Sequence, residues 1–380
     1  MKGVVISGTG SGTGKTAIAT GLMSRLSARY NVQGYKVGPD FIDPMYHTAA
    51  TGRPSRNLDS FMMSPGTIKN LVGYSSKDAD ICIVEGVRGL FEGSSGTDDA
   101  GSTAEIAKML DLPVILVVNA RSLTRSAAAI VNGFMSFDKD LRIAGVIMNN
   151  VSNEQHQRKL TDAMNRYSDV KVLGMVRRDI SNAVNGTAKG LAGPKDEYIQ
   201  KMNNMTCGLD LDIIIDAMSD VPDMPSSPPY AERCRQGMKA AVAIDGAFCF
   251  YYRENLECMI SSGIDVTTFR PADGDMLPDA DIYYLGGGYP EMHAGRLSGN
   301  MDFMEGIKNA SDEGKAIIGE SGGMLALCDS ITISGQRYKM SGVLTAEAEI
   351  TGERHGPSYV IAHGSADNPF FSGITSRAHE

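Results

Sequence analysis

The residues best suited to chemistry lie at two corners of the sequence. The first is SGTGSGTGKT, residues 7–16, which follows a β-branched run and opens a helical pattern. A glycine-rich loop in that setting presents backbone N–H groups and a helix N-terminus to an anion. Gly8, Gly10, Gly12, Thr13 and Gly14 would form the cradle, Lys15 would reach the terminal phosphates, and the Thr16 hydroxyl would sit on Mg2+. The strict spacing asks for glycine at position 9, where this chain has Thr9, so the loop is a lengthened variant with Gly8 one residue further out. The second corner is AIIGESGGMLAL, residues 316–327, whose Gly319–Gly323 core fits the G-x-S-x-G nucleophile elbow and makes Ser321 a candidate nucleophile.

Phosphate chemistry also needs carboxylates to hold a metal. KVGPDFIDP (36–44) offers Asp40 and Asp43, and IVEGVRGLFEG (83–93) places Glu85 at the carboxyl end of an expected strand, where α/β sheets bind ligands. Glu92 lies seven residues further on. Any one of these acids could be a solvated surface group, but acids at strand exits beside a phosphate loop point to metal and substrate work. Asn149 and Asn150 end GVIMNN, where they would hydrogen-bond a nucleobase or simply form a turn. Arg53 and Arg56 suggest a carboxylate-rich substrate or nucleotide phosphates, against the plainer reading of surface salt bridges.

Strands alternating with helices must position these groups. Residues 3–7, 81–86, 113–119 and 143–150 read as buried parallel strands, with helical patterns at 16–30 and 103–110. A seam with four prolines in eight residues runs through 220–237. After it the pattern restarts, with strands at 239–245 and 281–288, a helix at 254–262, and the 316–321 run. The expected division is therefore 1–220, a linker 221–237, and 238–380. Residues 177–206 are polar and poorly periodic and receive no element.

At 380 residues, 42% hydrophobic and 21% charged, the chain has the composition of globular domains with sizeable cores. Its net charge of −9 argues against a general binder of nucleic acid or membrane surface. Six scattered cysteines without a C-x-x-C pair, and an N-terminus that runs straight into the phosphate loop, suggest reduced thiols and a cytoplasmic protein.

Taken together, GTGSGTGKT, YKVGPDFIDPMYHTAATGRPSRNLD, VEGVRGLFEG, GGGYPE and GESGG resemble the cobyrinate a,c-diamide synthase family, including its Ni-sirohydrochlorin a,c-diamide synthase relatives. The resemblance spans residues 8–323. It implies an α/β chain with an N-terminal dethiobiotin synthetase-like P-loop domain on a mostly parallel sheet and a C-terminal class I glutamine amidotransferase-like domain. ATP and Mg2+ would be the cofactors. Lys15, Thr16, Asp40 and Glu85 would serve phosphoryl transfer to a tetrapyrrole acetate, with Thr16, Asp40 and Glu85 on the metal. Asp43 and Glu92 would handle substrate or metal, and ammonia from glutamine would displace phosphate. The expected partners are a tetrapyrrole, glutamine or ammonia, and a second copy of the chain, with no nucleic acid and no membrane.

Residues 284–291 would form an oxyanion hole. The family carries cysteine where this chain has Ser321, and its catalytic histidine follows an HEFHYS-like motif inside which this chain stops. His355, His363 and His379 do not fall on that position. The second domain is therefore expected to be truncated and impaired as a glutaminase, because a serine hydroxyl needs a strong base that a thiolate does not. Two other readings are a non-catalytic ATP-dependent switch and a serine hydrolase using Ser321. The second of these leaves the phosphate loop unexplained.

Overall fold

The computed structural model describes residues 1–178, 195–230, 237–351, 358–367 and 372–379. These fall into two compact units, 1–229 with 357–380, and 230–356.

The first unit is built on a sheet whose strands are β1 (Lys2–Gly8), β2 (Val32–Val37), β3 (Arg56–Leu58), β4 (Ile81–Glu85), β5 (Val114–Asn119), β6 (Ile143–Val151), β7 (Val172–Arg177) and the short β8 (Ser219–Asp220). The order is β3-β2-β4-β1-β5-β6-β7, and every neighbour on that path is parallel. β8 alone runs antiparallel, against Lys2 and Gly3. Helices α1 (Lys15–Leu26), α2 (Ile42–Thr51), α3 (Pro65–Ser75), α4 (Thr103–Met109), α5 (Arg125–Phe137), α6 (Glu154–Tyr167), α7 (Asp196–Thr206) and α8 (Leu211–Asp216) complete the unit.

The central strands are apolar on both faces because both are covered, as a parallel sheet requires. Alternate residues of β1 show it: Val5 enters one core with Leu116, Val84 and Ala104, while Val4 and Ile6 enter another with Ile18, Leu22 and Ile115. α1 approaches closely at Gly21, where a Cβ would stand 2.3 Å from the carbonyl of Met202 in α7. The unperiodic stretch thus contains a helix, α7, whose buried face is only Met202 and Thr206. The rest of that stretch, 179–194, lies outside the described residues, as do Cys234 and His355.

The second unit carries β9 (Lys239–Ala243), β10 (Asp265–Phe269), β11 (Ile282–Leu285) and β12 (Ala316–Gly319), parallel in the order β10-β9-β11-β12. Around it stand α9 (Arg253–Ser261), α10 (Ala294–Gly299), α11 (Met301–Asp312) and α12 (Gly322–Leu327), and a small sheet of β13 (Ser330–Ile333), β14 (Gln336–Lys339) and β15 (Glu347–Ile350). A last antiparallel hairpin, β16 (Tyr359–His363) with β17 (Thr375–His379), groups with the first unit. There Phe61 and Tyr359 meet edge to face at 4.9 Å, and His379 Nε2 lies 2.8 Å from Asp59 Oδ2. No described helix is long and apolar enough to cross a membrane.

Candidate active site

The phosphate loop leaves β1 at the sheet centre and turns into α1 through two left-handed glycines, Gly12 (φ 74°) and Gly14 (φ 93°). Gly14 is required twice over, because a Cβ there would also sit 2.2 Å from Asn149 Nδ2. At Gly8 a Cβ would meet Thr13 Oγ1 at 2.2 Å, whereas Gly10 and Gly12 face open space. Asn149, at the end of β6, donates its amide to the Thr13 carbonyl at 2.8 Å and accepts from the Asn150 N–H. It buttresses the loop. Asn150 donates its own side-chain amide to Asn119 Oδ1 at 3.0 Å and lines a cleft of about 480 Å³ with Arg121, Lys159 and Arg178 at the carboxyl ends of β5 to β7.

Lys15 is buried to 7% exposure and donates to the carbonyls of Gly10, at 3.2 Å, and Arg88. Burial and the neighbouring Lys36 lower its pKa, while Glu85, Asp43 and Glu92 oppose them. Glu92 therefore acts on this loop through charge, and its carboxylate folds back over Gly89, where a Cβ would meet Oε2 at 1.9 Å.

The acids converge around Thr16. Its hydroxyl lies 2.6 Å from Glu85 Oε1 and 3.1 Å from Asp43 Oδ2. Lys36 Nζ reaches the same two oxygens, at 2.9 and 2.7 Å, and the Gly86 carbonyl at 3.1 Å. His47 Nε2 takes the other oxygen of Glu85 at 2.7 Å, and its Nδ1 faces Ser55 Oγ at 3.3 Å. Asp43 and His47 are one helical turn apart on α2, so a single face of that helix delivers both. Burial alone would raise the pKa of Glu85, but Lys36, His47 and Thr16 outweigh it and hold the carboxyl well below its usual range. Burial would likewise lower Lys36, and Asp43 with Glu85 raise it above the ordinary lysine range.

Asp40 stands differently. Its Oδ1 accepts from the N–H groups of Ile42, at 2.7 Å, and Asp43, at 3.2 Å, at the start of α2. Burial and the adjacent Asp43 carboxylate raise its pKa, with Lys36 opposing. Of the four acids, the structure brings Glu85 and Asp43 to Thr16, puts Asp40 beside them at the start of α2, and sets Glu92 over Gly89. Arg53 is engaged with Gln33 and the Ser75 carbonyl, and the buried Arg56 lies 6.0 Å from the Tyr74 ring centroid. Neither arginine extends into open solvent as a ready anion hook.

Oxygen donors alone, one hydroxyl and two carboxylates, suit Mg2+, which usually takes one or two carboxylates and completes its shell with water and phosphate. Among the described residues no group of three His, Cys, Asp or Glu could hold a metal by itself. Sequence reasoning missed Lys36 and His47. The available signals were a lysine near the end of an otherwise buried strand, and a histidine four residues after Asp43.

In the second unit the turn from β12 into α12 has the sharp form expected of an elbow. Ser321 holds φ 50° and ψ −119°, a conformation costly for a residue with a Cβ. A Cβ on Gly319 would strike Leu327 Cδ1 at 2.6 Å, and one on Gly323 the Leu285 carbonyl at 2.0 Å, so the flanking glycines are packing requirements. The Ser321 side chain is exposed, and no hydrogen bond to it is formed by the described residues. Glu320 accepts from the Tyr284 hydroxyl, and the Gly286 N–H donates to Tyr251 Oη at 2.8 Å. An oxyanion would therefore fall to the N–H groups beyond Gly286. His363 pairs with Thr375 and His379 with Asp59, both in the first unit.

Residues 4–187 match the CobQ/CobB/MinD/ParA nucleotide binding domain, and residues 239–379 match the CobB/CobQ-like glutamine amidotransferase domain. The chain is 46% identical to a cobyrinate a,c-diamide synthase of Methanocaldococcus jannaschii, over 95% of this chain and 82% of that protein. It is 41% identical to the enzyme of the same name from Methanosphaera stadtmanae, over 100% and 86% of the two chains. With that of Streptococcus sanguinis it shares 36% identity, again over 100% and 86%.

Proposed function

We infer that this chain, which belongs to the cobyrinate a,c-diamide synthase family, is an ATP-dependent amide ligase that converts the a and c acetate carboxylates of a tetrapyrrole, cobyrinate or Ni-sirohydrochlorin, to amides. The observation that carries the reading is the convergence of Thr16, Asp43, Glu85 and Lys36 on one point beside the phosphate loop. In this reading residues 1–220 are the ligase part, 221–237 the linker, and 238–380 the amidotransferase-like part, whose last hairpin groups with the first compact unit.

The loop N–H groups and Lys15 bind the phosphates of ATP, and Lys15 leaves the Arg88 carbonyl to do so. Thr16, Asp43 and Glu85 would hold Mg2+, which supplies charge neutralisation on the phosphates. A substrate carboxylate oxygen attacks the γ-phosphorus, the bond to ADP breaks, and an acyl-phosphate forms. Ammonia then attacks the acyl carbon, loses a proton, and inorganic phosphate leaves. Phosphoryl transfer of this kind relies on positioning and electrostatics, which is what the cluster offers.

In the family ammonia derives from glutamine. Here Ser321 stands at the elbow without a described base, which supports impaired glutamine hydrolysis. The test is amide formation from each tetrapyrrole with ATP and either ammonium chloride or glutamine. Product with ammonium, reduced or absent with glutamine, is the expected result. Comparable rates with glutamine would overturn the impairment. Nucleotide binding without amide from either donor would favour a non-catalytic switch.

A further inference from the structure

Lys36 extends from β2 into a fully enclosed position, with its residue only 3% exposed. Its ammonium contacts Asp43 Oδ2 and Glu85 Oε1, and these are the same two atoms that the Thr16 hydroxyl touches. A divalent ion bonded to those oxygens would approach them to about 2.0–2.1 Å. The ion and the ammonium would then share one pair of ligands in a buried site where like charges repel strongly.

The charge count points the same way. Asp40, Asp43 and Glu85 all act on Lys36, and Lys15 lies near enough to oppose it, so two cations already offset two of these three carboxylates. His47 occupies the remaining oxygen of Glu85, so the carboxylate cannot swing to offer a second ligand atom. What is left is too little charge for an isolated divalent ion, and enough for one that brings phosphates with it.

We propose that Lys36 is an internal counter-cation, competing with divalent metal for Asp43 Oδ2 and Glu85 Oε1, so that the site accepts metal only as its nucleotide complex. This rests on the reading of Thr16, Asp43 and Glu85 as the metal-binding side. The device sets the order of loading, with metal and nucleotide entering together. It also holds the two carboxylates adjacent, where without a cation they would repel.

The test is Mn2+ binding to the full chain, read by the loss of the free-ion paramagnetic resonance signal, with and without a non-hydrolysable ATP analogue. Unaltered protein should bind Mn2+ weakly alone and much more tightly with the analogue. K36Q, which retains hydrogen bonding without the charge, and K36M should bind Mn2+ alone on the order of tenfold or more tightly than unaltered protein. K36R should restore exclusion. A lysine that merely held the fold together would not tighten metal binding when removed. Unchanged or weaker Mn2+ binding in folded K36Q or K36M overturns the proposal. So does unaltered protein that binds Mn2+ equally well without the analogue, a readout that needs no variant. E85Q separates the two levels: if it leaves Mn2+ binding with the analogue intact, the metal-site reading itself fails, and Lys36 falls with it. If E85Q loses that binding while K36Q gains nothing, only the counter-cation is refuted.

Discussion

The side-chain amide of Asn149 donates to the carbonyl of Thr13 across 136 residues of chain, tying the end of β6 to the phosphate loop. The contact is possible only because residue 14 has no side chain. Gly14→Ala should abolish nucleotide binding, since the new methyl meets the Asn149 amide and the φ of 93° is unfavourable for alanine. Asn149→Ala should weaken binding by about tenfold, the equivalent of one net hydrogen bond. Titration with a fluorescent ATP analogue measures both, and an Asn149→Ala protein with unchanged affinity would remove the buttress from the account.

His47 is wholly buried and holds one oxygen of Glu85. His47→Ala leaves that carboxylate oxygen unpaired and opens a cavity, so stability should fall by about 3 kcal/mol. Chemical denaturation gives the number. A loss below about 1 kcal/mol would mean that the pocket refills with water or collapses at little cost.

The depressed pKa of Glu85 makes an acid-side prediction. A carboxyl whose folded value lies below the ordinary 4.5 binds fewer protons folded than unfolded, so its stabilisation is complete above that value. It is lost as the pH falls through the folded value. The gap in urea midpoint between unaltered protein and Glu85→Gln should therefore be widest near neutral pH and narrow as the solution is acidified. A gap that stays constant down to about pH 3 would show that the charge on Glu85 contributes nothing to the fold.

Much of this was legible from sequence, and the omissions have physical causes. The β-branched runs at β1, β4, β5 and β6 stand out because both faces of those strands are buried. β3 is only three residues long, and β2 carries Gln33 and Lys36 among its buried positions, so neither makes an apolar run. The phosphate loop and its acids were visible as residue types. Their partition was not, because Asp40 and Asp43 differ by less than one helical turn, and only the start of α2 decides which carboxylate caps the helix and which meets Thr16. Histidine at position 47 has no local reason to be buried; its partner lies 38 residues away on another strand.

The elbow at Ser321 gives a prediction independent of any activity. Ser321→Gly should relieve backbone strain of about 1–3 kcal/mol, offset by about 0.5–1 kcal/mol of added chain entropy when unfolded. A net rise in stability of about 1 kcal/mol is expected for the second unit, measured by its denaturation midpoint. A fall would mean that the serine side chain makes a contact worth more than the strain.

The hydrogen bond between Asp59 and His379 spans 320 residues, and the whole of the second unit is encoded between its ends. On the ribosome, β3 and the loop after it emerge long before β17 exists. Until then, among the described residues, the Asp59 carboxylate is left with the backbone N–H groups of Phe61 and Met62 and with water. The partner that completes the Asp59 carboxylate therefore comes from chain translated after the whole of the second unit.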